Sequence, residues 1–535
     1  MSDLPNKYHE LRGDYKNYID SYIALYQLKT KNEEEINSIY KKLKANLIDS
    51  YKFRPQKLLK DILNVIPYNN RYAKSYLALA KLVQNEFHIE EVTDIPIISN
   101  YLFFKEYGMK LDKSKDLEKM KSENLDIHAE NTIYRAIMDN DKEKFIPFTQ
   151  KQGFDKDQRL ESKLYPNNDK GYTWLELCCY HGSINCFMHL RTKFNSEITE
   201  TCLHLSFLGG NSEIVSECLK VQKPDEECVK NAIISHNIDF VAVLMNEYHK
   251  RVEVNECRIH NNLDAFLAYF VQTSDFNRCF IYSSMFNIPA LCGYFLSNGA
   301  NINEKDKYKE TALHKAATNN SKESAELLIK NGANINEKNK YGETALHLAA
   351  RNNSKETAEL LLENGANVKE QYENGKTALH IAAYRNSKDT VEILISNGAN
   401  INERYENGET ALHIAAYKNS KDTAELLVTL GAEIDEKDED GETPLHYAAD
   451  NNSKETAELL LSLGATVDEK NEEGETALHK AAENNSKETA ELLLTYGANV
   501  NEVNDDGETP YDKAEENNSE ETAELLVSRG AKVHK

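Results

Sequence analysis

The chain is short of the residues that interrupt helices, with 22 Gly and 10 Pro among 535 residues. So few breakers point to a chain rich in helix. No apolar run approaches the roughly 18 residues that a membrane-spanning helix needs, so such a span is excluded. The opening MSDLPNKYHE lacks a basic stretch followed by an apolar one, and no secretory signal is expected. Basic residues are the minority, 64 against 88 acidic, for a net charge of -24. That balance argues against a protein that coats nucleic acid or inserts into an anionic membrane. Cysteine is missing from most of the chain, and all nine lie between Cys178 and Cys292. An odd count in a long chain without a signal argues against a disulfide framework. It favours a reducing compartment, taken here as the cytoplasm.

What is present suffices for buried cores: 40% of the residues are hydrophobic and 9% aromatic. Charge is unevenly spread. The net is +3 over residues 1–120, -6 over 121–300 and -21 over 301–535. The last of these segments carries an internal repeat. His314, His347, His380, His413, His446 and His479 recur at steps of 33, and the step continues to Asp512. Seven segments are in register, beginning at Thr311, Thr344, Thr377, Thr410, Thr443, Thr476 and Thr509. Such a period is the mark of a stacked array, in which one repeat cannot bury its apolar face alone.

The residues of one repeat predict its local structure. Thr344 stands ahead of a short helical run and is expected to N-cap it. Ala349 and Ala350 are small enough for a neighbouring helix to approach closely. Asn353 falls where the chain reverses, and Asn tolerates the left-handed conformation. Ser354 is expected to cap a second helix, with Glu356 in its first turn favouring the helix dipole. Leu360, Leu361 and Leu362 are expected to form the buried stripe. Gly365 should end the helix in a left-handed C-cap, before a polar loop that turns at a glycine such as Gly342.

This pattern of TALHLAA, a helix break, ETAELLL-NGA and a Gly-bearing loop resembles the ankyrin repeat over roughly residues 276–535. The resemblance implies an all-α-dominated α-solenoid of stacked helix pairs with short β-hairpin loops. It also implies that the hairpins and first helices line a concave binding surface. Two departures stand out. Lys309 replaces the hairpin glycine, so that hairpin is expected to be distorted. Asp512 replaces the last histidine, in a repeat whose many glutamates suit a solvent-facing cap. Upstream, Thr173–Cys179 and Thr201–Ser206 read as weathered repeats, and Ile133–Phe145, Asn231–Met245 and Cys257–Phe270 as looser ones. Residues 126–275 are therefore read as degenerate ankyrin-like helix pairs. They resemble the domain of unknown function found ahead of ankyrin repeats in expanded families of parasitic flagellates.

Residues 1–125 predict a separate N-terminal helical domain. Tyr8, Tyr15, Tyr18, Tyr22 and Tyr26 recur at helical steps, as do Ile36, Ile39, Leu43 and Leu47. Pro55 suits the first position of a further helix. The charged stretch 110–123 reads as a solvated helix end or linker. The domains expected are thus 1–125, 126–275 and 276–535.

Several residues tempt a chemical reading. Cys178, Cys179, His181, Cys186 and His189 match no familiar zinc-ligand spacing, and two of the cysteines sit where the repeats have alanines. They are read as core. The recurring histidines look like a ligand ladder, but the family uses them for backbone bonds between repeats. Asn352-Asn353-Ser354 satisfies the glycosylation sequon, but without secretion, and with Asn in a turn role, glycosylation is not expected. The loop at Asp438–Gly441 lacks the distal acid of a calcium site. No phosphate-binding glycine loop, nucleophile elbow or zinc-protease motif appears, so no catalytic residue, cofactor or metal is expected.

Near-identity makes the differences informative. Just after the paired alanines the repeats read Thr318, Arg351, Tyr384, Tyr417, Asp450, Glu483 and Glu516; one place later Arg385 and Lys418 replace Asn. In the loops, Tyr372 and Tyr405 share a position, with Arg404 beside the latter. Arg351, Tyr372, Tyr384, Arg385, Arg404, Tyr405, Tyr417 and Lys418 thus define an expected partner-binding patch on the central repeats, rich in the residue types of interface hot spots. The function expected is a scaffold or adaptor that binds a protein without catalysis. The alternative is a regulatory adaptor whose N-terminal helices recruit an enzyme such as a ubiquitin ligase. Stability should be graded, because matched interfaces between like repeats add up. Hydrogen exchange is expected to be slowest within 311–508; faster exchange in 344–475 than in 173–270 would refute this.

Overall fold

The computed structural model describes residues 4–113, 115, 117, 120, 129–166 and 170–533. Its packing forms two compact units, Met1–Asp275 and Phe276–Lys535. Nearly all its regular structure is helical; the strands among the described residues are Arg159–Leu160 and Tyr172–Thr173, paired antiparallel.

In the first unit the expected divisions 1–125 and 126–275 share one body. The N-terminal helices Leu4–Asp14, Lys16–Tyr26, Glu33–Leu43, Pro55–Val65, Ala73–Phe87 and Ile97–Tyr107 pack with the helix pairs that follow. Pro55 opens its helix as expected. The tyrosine face points inward, and Tyr18 and Tyr22 are fully buried. Their hydroxyls find partners, Tyr22 on Asp61 at 2.7 Å and Tyr18 on Asn261 at 3.4 Å. Asp264, itself buried, accepts from Tyr8 at 2.5 Å and pairs with Arg12 at 3.2 Å. A buried carboxylate with its cation removed is costly, which ties the first helix to the last pair of this unit. The stretch 110–123 is not simply solvated where it is described: Leu111, Asp112 and Met120 are buried. Asn100 binds the Leu111 and Asp112 amides at 3.0 and 3.1 Å. Most of the rest of that stretch lies outside the described residues.

The degenerate segments are helix pairs, each reversing through one left-handed residue. Ile133–Met138 and Lys142–Thr149 reverse at Asn140; Trp174–His181 and Ile184–Phe194 reverse at Gly182. Glu200–Gly209 and Ser212–Leu219 reverse at Gly210, Glu226–Ile234 and Ile238–Asn246 at His236, and Val254–Ile259 and Leu263–Thr273 at Asn261. Two first helices approach so closely that a Cβ on Gly209 would lie 2.0 Å from the Cys179 carbonyl oxygen.

The second unit opens with Phe276–Ser283 and Pro289–Ser297, then stacks seven regular pairs, from Ala312–Thr318 with Lys322–Lys330 to Pro510–Glu516 with Glu520–Ser528. First helices pack on first helices and second on second. The paired alanines are fully buried, as the close approach requires. Leu361 is fully buried and Leu360 nearly so, while Leu362 is half-buried. Asn320, Asn353, Asn386, Asn419, Asn452, Asn485 and Asn518 all adopt the left-handed conformation, with φ between 50° and 56°.

The second-helix caps differ from the expectation. Ser354 has ψ of 68°, not the extended value of an N-cap, and its hydroxyl makes no capping bond. The cap comes from the preceding repeat: Asn320 Oδ1 accepts the Thr357 amide and hydroxyl, each at 3.1 Å. The same bond recurs from Thr390 to Asn353, Thr456 to Asn419, Thr489 to Asn452 and Thr522 to Asn485. Glu356 accepts a hydrogen bond from Asn320 Nδ2 at 2.5 Å. One asparagine thus turns its own chain and caps its neighbour.

The first helices follow the expectation, and the histidine joins the cap. In each box the Thr amide donates to the His Nδ1, at 3.1 Å for Thr344 and His347. An Nδ1 that accepts leaves the proton on Nε2, which donates to a carbonyl of the next repeat. His314 reaches Glu343 at 3.2 Å and His446 reaches Glu475 at 3.1 Å. Asp512 keeps the box, accepting the Thr509 amide at 2.8 Å. Lys309 does not distort its hairpin. It takes the left-handed conformation at φ 56°, and the turn closes with Lys309 N–H on Asp306 O at 2.8 Å. At the equivalent Gly342 a Cβ would find its nearest neighbour at 3.7 Å, so a side chain there has room. The loop tips fold back through such turns and are too short for regular strands.

Burial favours neutral imidazoles, and His347, His380 and His446 are pushed down to about 4. The unfolded chain takes up protons below its ordinary value near 6.5, while the folded chain resists until about 4. Stability is therefore full above pH ~6.5 and is lost as pH falls through that window, by on the order of 3 kcal/mol for each of these three rings. Thermal melts across this range should show the loss; an unchanged melting temperature down to pH 4 would contradict it.

Candidate functional site

Two positions in each repeat decide what its loop side offers. The first is the residue after the histidine, which reads Lys315, Leu348, Ile381, Ile414, Tyr447, Lys480 and Lys513. In the outer repeats this lysine sits among carboxylates. Lys315 pairs with Asp306 at 3.0 Å, Lys480 with Glu442 at 2.7 Å and Lys513 with Glu475 at 2.8 Å. In the central repeats the place is held by Ile381 and Ile414, which need no partner.

The second position is the hairpin residue, which reads Asp306, Asn339, Tyr372, Tyr405, Asp438, Asn471 and Asn504. The Asp and Asn side chains close their own loops. Asn339 Oδ1 accepts from Tyr341 and Glu343 amides at 2.9 and 3.0 Å, and Asp438 Oδ1 from Asp440 and Glu442 at 3.0 and 2.7 Å. Tyr372 and Tyr405 cannot make these bonds, and their loops wind into short 3₁₀ turns, Glu373–Gly375 and Glu406–Gly408. Their rings instead meet the histidines edge-on, Tyr372 on His347 at 5.3 Å and Tyr405 on His380 at 5.1 Å. The histidine bonds move with the loops. His347 and His380 reach Glu370 and Glu403, at 3.1 and 3.0 Å, in place of the residue just before the threonine.

These changes open a cleft of about 440 Å³. Ile381 and Ile414 lie at its base, and Tyr372, Tyr384, Tyr405, Tyr417 and Tyr447 supply rings. Arg351, Lys376 and Arg385 bring positive charge, and Glu409 is the acid among the lining residues. Tyr384 is 47% exposed and Tyr417 40%. Burial holds the Tyr372 phenol above its ordinary value and also raises Glu409, whose carboxylate accepts from the Tyr405 hydroxyl.

Six residues of the expected patch line this cleft: Arg351, Tyr372, Tyr384, Arg385, Tyr405 and Tyr417. Arg351 also pairs with Glu343. Lys418 is not a lining residue, but its ammonium lies 4.6 Å from both the Tyr384 and Tyr417 rings. Arg404 is not brought to the cleft and pairs with Glu436. Lys376, Ile381, Glu409, Ile414 and Tyr447 were not among the expected patch residues, and His380 was expected only to bond backbone between repeats. Comparing the residue after each histidine would have found Ile381, Ile414 and Tyr447.

The candidates for metal chemistry resolve differently. Cys178, Cys179 and Cys186 are buried in packing positions, while His189 meets Thr149 at 3.2 Å and His181 meets Tyr165 at 3.0 Å. Elsewhere in the first unit, His204, Asp225 and Cys228 bring possible ligand atoms within 4.8 Å of one another. There His204 Nε2 bonds Asp225 at 2.9 Å, and Asp225 caps its helix by accepting the Cys228 amide at 3.1 Å. Asp225 does for His204 what the loop carbonyls do for the array histidines. Among the described residues no helix is long and apolar enough to cross a membrane.

A stack of like helix pairs that exposes a graded cleft along its loop side defines a repeat protein of the binding kind. Residues 280–372, 342–405, 379–471 and 463–535 each match the family described as Ankyrin repeats (3 copies). Residues 194–269 match the Domain of unknown function (DUF3447). The chain is an ankyrin-repeat protein with this domain just ahead of its repeats, and its repeats support a role in protein–protein interaction. No curated protein matches the chain.

All nine cysteines are buried, and desolvation pushes Cys186 and Cys228 up to about 12. Buried thiols of this kind are inert. Mass analysis of the native protein under non-reducing conditions should show no hydrogens lost, whereas two stoichiometric disulfides would contradict the packing.

Proposed function

We propose that this protein is a non-catalytic scaffold whose partner protein docks in the cleft of the central repeats. The contacts are Arg351, Tyr372, Tyr384, Arg385, Tyr405, Tyr417 and Lys418. One observation carries the reading. The array repeats itself closely, yet here it departs from its own rules at neighbouring places. Two loops forgo their closing Asn or Asp bonds, and the four successive repeats from Leu348 to Tyr447 carry no lysine where the three outer ones hold an ion-paired one. Local rules broken without a local gain are expected where a surface has a task. Tyr and Arg on a partly exposed apolar base also suit an interface centre.

The test replaces Tyr384, Arg385, Tyr417 and Lys418 by the Glu and Asn that a later repeat carries at the same places. The melting temperature is expected to hold, while capture of the native partner falls about tenfold or more, which is ~1.4 kcal/mol. Capture at the wild-type level would remove the cleft from the interface.

A further inference from the structure

We infer that the partner presents an acidic peptide segment to this cleft, with an aliphatic or aromatic side chain beside its carboxylates. This deepens the docking reading above and rests on it. The repeat unit as a whole is acidic, with a net of -21 over residues 301–535. Its long-range field would repel an acidic ligand almost everywhere. The cleft is the local exception. Arg385 and Lys418 stand where five sister repeats carry Asn, and neither forms an ion pair among the described residues. Their cationic groups rest on rings instead: Arg385 lies 5.7 Å from the Tyr384 ring, and Lys418 lies over Tyr384 and Tyr417. Lys376 is placed likewise, 4.8 Å over the Tyr405 ring.

Compare the cations at neighbouring places. Arg351, Arg404, Lys437 and Lys480 each meet a carboxylate of the array. A cation over a ring keeps most of its attraction for an anion, because the ring leaves its outer side open. The Glu409 carboxylate accepts from the Tyr405 hydroxyl and acts on Lys376, which leaves Arg385 and Lys418 as the cations open to an acidic ligand. The base is apolar, with Ile381 and Ile414 both 5% exposed. An acidic segment would set carboxylates against Arg385 and Lys418 and lay its apolar side chain between the Tyr384 and Tyr417 rings. The acidic surroundings would then enforce register, because displacement along the array brings like charges together.

The test is selection of random peptides displayed on phage against the full chain. Two double variants are run beside it, R385N with K418N and Y384T with Y417T. Each introduces a residue type that a sister repeat carries at that position, and melting curves establish that both fold. The wild-type pool should be acidic with a recurring large apolar residue. A synthetic peptide made from it should bind about tenfold more weakly to R385N/K418N. Its affinity should also fall as salt rises. Neutral or basic pools, no enrichment, or binding indifferent to R385N/K418N would overturn the inference. If such pools still depend on Tyr384 and Tyr417, the cleft remains the docking site and only the acidic partner is refuted. Binding indifferent to both variants would refute the docking site as well.

Discussion

Hydrogen bonds passed from each repeat to the next hold the stack together. The Thr357 amide has no acceptor in its own loop and takes Asn320 from the repeat before. The Glu343 carbonyl, which already accepts the Asn339 amide of its own hairpin, takes a second bond from the His314 ring of the repeat before. Buried amides and carbonyls without partners are costly, so a repeat in isolation is short of both core and hydrogen bonds. Stacking supplies both at once. The neutral Nε2–H tautomer of each histidine follows from the threonine amide on its other nitrogen, and burial holds the ring in that state. The array's cohesion therefore rests on a few side chains, each with two duties.

The central repeats keep that framework and alter what lies on it. The threonine–histidine box stays intact at Thr377 and His380 and at Thr410 and His413. What changes is the second contact. With Tyr372 and Tyr405 in the loops, two histidines reach carbonyls six residues nearer the start of the chain. The solenoid can absorb this because neighbouring repeats are coupled by separate bonds at the other end of the helices, through the asparagines. Binding chemistry can thus be written on the loop side without unpicking the stack.

The first unit solves the same problem with other residues. Its reversals use Asn, Gly or His, and its paired small residues include Cys178 and Cys179. Its packing is bound by a buried polar network in which Asp264 holds Tyr8 and Arg12, and Asp61 holds Tyr22 and Lys57. Both clusters join residues far apart in the chain. A periodic tyrosine pattern suggests a buried helix face, but it does not say against what.

Sequence alone determined the repeat, its helix boundaries, the left-handed asparagines and the threonine caps. All of these are local: they follow from spacing within one repeat, and seven near-copies make the spacing plain. It also marked half of the residues that line the cleft, because substitutions stand out against a repeated background. Tertiary structure decided the rest. Ser354 looked like an N-cap, yet the cap arrives from Asn320, 37 residues before the amide it binds. Lys309 looked disruptive, yet the space around its loop accepts it. Arg404 looked like a member of the patch, yet Glu436 holds it apart from the cleft. Ile381 and Ile414 drew no notice in the sequence, and only the stack shows them beneath an opening. The physical reason is common to all four: a side chain's role there depends on the surface that a neighbouring repeat brings to it, and no spacing within a single repeat records that surface.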